Sequence, residues 1–502
     1  MGSFVRRVTT ASGATAVQIV HKKGRTVLGI EHIGSAHDQA QLGALVQAAD
    51  ERLHVGQALL PLEPATAGGR PVGQAVIEGT ASLILWDALR GVYDALGFDA
   101  VKDEAFTSLV LGRIIEPTSK ADTVRVLTEL GVPAPTRVTF MRCLKRVVDR
   151  DYRQVLADAC YAHATRDGAL ALVLYDVTTL HFEAEHEDGL RKVGMSKERR
   201  VDPQVTVGLL TDATGFPVQV HLFEGNKAET KTLIPVVTAF RDRHAGADIV
   251  VVADAGMLSA ANLLALQDAG FSFIVGSRIS KAPYDLAEHF RTKGNVFTEG
   301  QCLETTRIMG AGKTARERRV VYQYKFKRSQ HDNRAINAMV ARAEKVADGS
   351  RPMKKDRFVK IEDATKGVDW DLVERARFLA GLKGYVTNIP ASTMPGPQVT
   401  AAYHDLYQVE RSFRMTKSDL AARPVFHRIR PSIEAHLTVV FAALAVSRAA
   451  QAATGLSIRK IITTLRPLRS ANMTIGGTTV TVPPRIPADA QAVIDDLRRG
   501  GH

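Results

Sequence analysis

The most constraining stretch of the chain is ALALVLYDVTTLHF, residues 169–182, an apolar run that ends on Asp176. Aliphatic residues at Ala171–Leu174 and at Val177 suit a strand covered on both faces, and a carboxylate inside it must be paired, hydrogen-bonded or bound to a cation. A second run, ADIVVVADAGM at 247–257, repeats the pattern and ends on Asp254. Between them PQVTVGLLTDATGFPVQVHLF reads as two strands turning at Asp212–Gly215, so the Asp176 strand opens a three-stranded meander. After Asp254, a helix (SAANLLALQDAG) and a strand (FSFIVGSRI) continue a strand–helix–strand alternation, which predicts a parallel section of sheet. An α/β core with two acids at neighbouring strand ends is the consequence.

The rest of the 502 residues exceeds one hydrophobic core, so several domains are expected. Residues 1–75 read as a small module of strands and a helix, closed by a proline- and glycine-rich linker between Pro61 and Gly73. Residues 76–166 read as wholly helical, a DNA-binding candidate in which Thr136 caps a helix bearing Arg137, Arg142, Lys145 and Arg146. Residues 167–280 hold the first part of the core and 281–375 a strand-rich insertion. Residues 376–450 complete the core and 451–502 form an appendage. In the insertion, eight Lys or Arg against the single acid Glu317 lie between Arg307 and Arg328, with Tyr322, Tyr324 and Phe326 interleaved. That alternation suits either a nucleic-acid-tracking surface or an edge strand guarded by cations. GAGKT at 310–314 lacks the leading glycine and strand of a P-loop and is set aside.

A net charge of +13 and a pI near 9.6 point to an anionic partner. Cys143, Cys160 and Cys302 have no CxxC spacing, which excludes a zinc ribbon or disulfide framework and fits a reducing compartment. No signal-peptide pattern opens the chain, and the apolar stretch at 437–446 is too short for a bilayer, so a cytoplasmic protein without a membrane partner is expected.

A third acid, Glu410, lies in TAAYHDLYQVERSFRMTKSDL, read as one long helix. Tyr403, Glu410 and Lys417 recur every seven residues and so share a helix face. Residues 411–470 carry 11 Lys or Arg against Asp419 and Glu434, giving that helix basic surroundings. Three carboxylates can hold two magnesium or manganese ions, and such a pair supports in-line phosphoryl transfer. His181, His221 and His436 are read as structural, and a two-carboxylate glycosidase explains neither the third acid nor the basic surroundings.

These blocks together resemble the DDE transposases of bacterial insertion sequences, in particular the family with a Tyr-x2-Arg-x3-Glu-x6-Lys motif and its subgroup with a long N-terminal region. The resemblance rests on YDVTT around Asp176, GNKAET at 225–230, VVADAGM around Asp254, and the Tyr403, Glu410, Lys417 spacing. HIGSAHDQAQL and RIIEPTSKADTVRVL carry the likeness to the subgroup. It implies a ribonuclease H-like core interrupted before the glutamate, with Asp176, Asp254 and Glu410 as catalytic metal ligands for two Mg2+ or Mn2+ ions. It also implies double-stranded DNA with terminal inverted repeats and a target DNA as partners, a homodimer on DNA, and bacterial, nucleoid-associated localisation. Lys417, Arg414, Arg411 and Tyr403 are the DNA-binding candidates, Tyr403 packing against either DNA or the core. Leu406 stands at the motif's arginine position, and Arg411 and Arg414 are the nearest replacements. A DNA nuclease without strand transfer and a catalytically silent DNA-binding relative remain the alternatives.

Overall fold

The structure, a computed structural model, describes residues 2–9, 15–23, 26–36, 39–53, 76–168, 170–183, 186–194, 202–244, 249–257, 259–277, 279–352, 356–362, 365–475 and 478–500. The linker expected at 61–73 lies outside these. The chain divides into two compact units, the first comprising Met1–Gln74 with Ile475–Gly477. In this unit the strands Gly2–Thr9, Thr15–Lys23 and Thr26–Ala36 form an antiparallel sheet, and Val17 and Ile19 pack with Ala49 of the helix Gln39–Leu53.

The second unit is built on an eight-stranded mixed sheet. Its order from one edge is Cys302–Met309, Arg316–Tyr324, Leu382–Thr387, Ser272–Ser277, Val250–Ala253, Leu172–His181, Gln204–Thr211 and Pro217–Glu224. The three-stranded meander is present, with Gly215 at φ +84° in its turn and Asp212 Oδ1 accepting from the Thr214 and Phe216 amides at 2.8 Å each. The Leu172, Val250 and Ser272 strands run parallel, joined through the helices Leu233–Arg243 and Ala260–Asp268. Val173, Leu174, Val251, Val252, Phe273 and Ile274 are fully enclosed, as continuous apolar runs in a doubly covered parallel section require.

Three expectations change. Residues 281–375 are not uniform: the Cys302 and Arg316 strands extend the main sheet through Leu382–Thr387, while Ile336, Val340, Ala343, Phe358 and Val373 form a small core of their own. GAGKT forms the tight turn between those two strands. Within them Tyr322 is buried, Arg307 pairs with Asp285 at 2.8 Å, Arg319 pairs with Glu304, and Arg318 is buried against Gln267. The charges of Arg307 and Arg319 are therefore met inside the fold, whereas Lys313, Arg316, Lys327 and Arg328 stay exposed. Residues 76–166 are helical except for the strand Val76–Ala81, which pairs with Ser470–Ile475.

The apolar stretch at 437–446 belongs to a 25-residue helix, Arg430–Thr454, long enough by composition to cross a bilayer. Its most apolar window is 89% buried, packed by the helices Glu104–Ile115, Arg137–Asp149 and Ala488–Arg499. Its hydrophobicity is that of a core helix. In the helix Arg137–Asp149, capped by Thr136 at 3.2 Å, Arg146 is taken up by Asp103 while Arg137, Arg142 and Lys145 stay exposed.

Candidate active site at the sheet's carboxyl end

Tyr175 and Ala253 are registered partners on adjacent parallel strands, so Asp176 and Asp254 follow side by side, on strands separated by about 4.8 Å. Asp176 is half-buried and Asp254 exposed. Beyond Asp254 the strand gives way to a 3-10 turn, Ala255–Met257, and the Ala255 amide donates to Asp254 Oδ1 at 2.7 Å. Tyr403 Oη donates to the same oxygen at 2.8 Å. A Cβ on Gly276 would lie 2.7 Å from that phenol oxygen, so the glycine makes room for the bond.

The single helix expected over 399–420 is two, Gly396–His404 and Leu406–Ser418, interrupted at Asp405. On the second, Leu406, Val409, Phe413 and Thr416 are buried at helical spacing, which turns Glu410, Arg414 and Lys417 to the opposite face. Ser412 Oγ anchors the helix to the Gly215 carbonyl at 2.7 Å. Leu406, at the motif's arginine position, is a core residue. Arg411 points elsewhere, toward Gln408 and a cleft it shares with Arg448. Tyr403 is 4% exposed, which fits the core-packing alternative over the DNA contact, and its phenol turns inward onto Asp254.

Two residues escaped the sequence reading. Lys383, half-buried, sets its ammonium over the Tyr403 ring at 4.4 Å, where the charges of both Asp254 and Glu410 act on it. Burial is the larger influence and lowers its pKa; the Arg328 charge acts in the same direction, and the two carboxylates oppose them. Its signal was the one charge in the small, otherwise apolar strand LKGYVT. The other is Glu229, inside GNKAET, whose Oε2 would stand 2.8 Å from a Cβ on Gly256. Glu229 and Asp176 both act on the Tyr175 phenol, whose pKa is raised mainly by burial. A cleft of about 390 Å3 opens here, lined by Thr178, Thr179, Asn226, Glu229, Gly256 and Lys417. Asp176 and Asp254 thus have near neighbours in sequence on the cleft wall, and Lys417 of the Glu410 helix joins them there.

Among the described residues no three His, Cys, Asp or Glu side chains converge closely enough to hold one ion. The donor set is nonetheless oxygen-rich: the charges of Asp254 and Glu410 both reach Lys383, and Asp176 follows Asp254 in register on the next strand. His221 and His436 are neutral structural residues, the first with its pKa pushed down to about 4 by burial and the Arg153 charge, the second bonded to the Ala422 carbonyl.

A parallel strand pair ending in acids, with a glutamate helix laid beside it, defines a sheet-end site suited to phosphoryl chemistry. The family model for a transposase DDE domain matches residues 168–446, more than half of the chain, and the protein belongs to that family. No curated protein matches it. Among solved structures it is similar to a piggyBac transposase synaptic complex with hairpin DNA, at 13% identity and a TM-score of 0.37, covering 75% of this chain and 70% of that one. Likeness at that level carries no argument about this site.

Proposed function

We propose that the protein is a DNA transposase that cuts at the terminal inverted repeats of its element and joins the 3′ ends to target DNA. The observation that carries this reading is the in-register placement of Asp176 and Asp254 on parallel strands, with Glu410 and Asp254 acting on the same ammonium. The strand order, an antiparallel meander beside parallel strands, supports a ribonuclease H-like core. Asp176, Asp254 and Glu410 would hold two Mg2+ or Mn2+ ions, which when bound activate the attacking oxygen and stabilise the leaving one. Tyr403 orients Asp254, while Lys417 and Arg414 face the phosphates of the bound end. Bringing two element ends together calls for a homodimer on DNA, acting on the bacterial nucleoid in the cytoplasm.

A catalytically silent DNA-binding relative is the second reading, favoured by the lack of a converged three-acid cluster among the described residues. One assay separates the two: DNA bearing the repeats that flank the reading frame is incubated with magnesium and either wild type or Glu410→Gln. Metal-dependent 3′-hydroxyl ends at the repeat boundary, lost in the variant, are expected. Binding without any cut in both proteins would leave the silent reading.

A further inference from the structure

The chain leaving the Glu410 helix forms a loop, Ala421–Ile429, that leads into the helix Arg430–Thr454. It exposes two large apolar side chains, Phe426 at 76% and Ile429 at 63%. Exposed apolar residues are common singly. These two, however, sit on a loop held from every side. The Val425 amide donates to the His181 carbonyl at 3.1 Å, and Val425 bridges Phe182 in parallel, so the loop is tied to the end of the Asp176 strand. Arg113 Nη1 donates to the Leu420 and Ala421 carbonyls at 2.8 and 3.2 Å, and Lys120 Nζ meets His427 Nε2 at 2.7 Å.

Among the described residues no acid pairs with the charge beneath this loop. Arg113 and Lys120 are half-buried, and neither makes an ion pair among those residues. Burial lowers both pKa values, Arg113 to about 10 and Lys120 to about 8, with Arg113 also opposing the lysine's charge. His427 and His436 lie beside them, ring centroids 5.4 Å apart, and add no acid. Of the nearby carboxylates, Glu434 is taken by Arg430 at 2.9 Å, and Asp419 lies exposed at the end of the Glu410 helix. Arg428 projects to solvent within the loop. Carbonyls and an imidazole hold these cations in place without neutralising them, so the base of the loop keeps a net positive charge that favours an anion. A stiff apolar tip on such a base matches a polyanion whose interior is apolar, namely stacked duplex DNA.

We propose that Phe426 and Ile429 form a wedge that enters a base step of the duplex, with Arg428 and the half-buried Arg113 and Lys120 supplying the positive field that holds the phosphates around it. The proposal rests on the transposase reading for its position on the DNA. Phe182 lies six residues beyond Asp176, roughly 20 Å along an extended strand, which corresponds to about six base-pair steps from the cleaved phosphate.

The test uses the full chain and a repeat-end duplex carrying 2-aminopurine at successive positions four to eight base pairs from the cut, bound in calcium so that cleavage is not required. Wild type is expected to raise the fluorescence severalfold at one of these positions, Phe426→Ala to abolish the rise, and Phe426→Leu to retain most of it. In magnesium, Phe426→Ala should cut paired DNA about tenfold more slowly, the equivalent of one stacking step, and recover to within roughly twofold on a duplex mismatched at that step. An equal defect on mismatched DNA, or no fluorescence rise at any position with wild type, overturns the wedge. So does a Phe426→Ala protein with normal fluorescence that has lost a dimer by light scattering, which would assign the patch to a second copy of the chain. A fluorescence rise without cleavage by wild type supports the wedge and removes the transposase reading instead.

Discussion

Two sets of charged residues sit on the same eight-stranded sheet, and they differ in what answers their charge. Along the Cys302–Met309 and Arg316–Tyr324 edge Arg307 is met by Asp285, Arg319 by Glu304 and the carbonyls of Ile389 and Met394, and Asp285 also by the Tyr322 phenol at 2.5 Å, while the buried Arg318 has the neutral Gln267 side chain as its partner. At the carboxyl end of the parallel strands the acids keep open faces. Asp254 and Glu410 are exposed, with one half-buried lysine near both. In sequence the basic edge read equally as a nucleic-acid surface or a guarded edge strand. The structure separates the two regions, because a charge whose partner is built in is holding the fold, whereas one left open awaits a ligand.

The sharpest way to break this contrast is to neutralise one residue of each kind. Asp254→Asn should reduce metal-dependent strand cleavage by on the order of a thousandfold or more while leaving the urea unfolding midpoint where it was. Asp285→Ala should do the reverse. It leaves Arg307, 16% exposed, and the buried Tyr322 phenol without their acceptor, and should cost about 3 kcal/mol of stability by denaturant titration with cleavage per folded molecule retained. If Asp285→Ala abolished cleavage without destabilising, the division between the two regions would be wrong.

A group that is enclosed and uncharged marks a third kind of residue and gives a pH signature. His221 has its pKa pushed down to about 4 by burial first and by Arg153 second, against about 6.5 in an unfolded chain. Its folded pKa is depressed, so below pH 6.5 the unfolded chain takes a proton that the folded one refuses. The stability it contributes is whole above pH 6.5 and is lost as the pH falls from there toward 4, by up to about 3 kcal/mol. His221→Gln should flatten the acid limb of stability against pH; an unchanged limb would mean that other groups carry it.

Legibility followed the same physics. The buried strands and their terminal acids could be read because an apolar run broken by one carboxylate has few explanations, and the Asp212–Gly215 turn because its residues are those the backbone requires. The joining of residues 302–324 to the main sheet could not, since strand pairing between segments far apart leaves no local trace. Tyr403 was placed on one face with Glu410 by a seven-residue period, which left it between DNA and the core. That period assumed one unbroken helix, and the interruption at Asp405 separates the two. Lys383 and Glu229 were missed because each draws its meaning from residues distant in the chain, Lys383 from Tyr403 and Glu410, Glu229 from Gly256.

The smallest expected effects are the most specific to the site's geometry, because two neighbours of Asp254 should act with opposite sign. Tyr403→Phe removes the hydrogen bond that orients the carboxylate, and the manganese concentration for half-maximal cleavage should rise about tenfold. Lys383→Met removes a cation that competes for the same acids, and the DNA-free protein should bind manganese a few times more tightly, about what one partly screened charge is worth. Manganese affinity measured by electron paramagnetic resonance, with cleavage followed in parallel, reads both. Were the two substitutions to shift affinity in the same direction, Lys383 would be a supporting residue like Tyr403 and not the counter-charge held in place of metal. Glu410 and Asp254 would then lack the shared cation that makes this end of the sheet differ from the other.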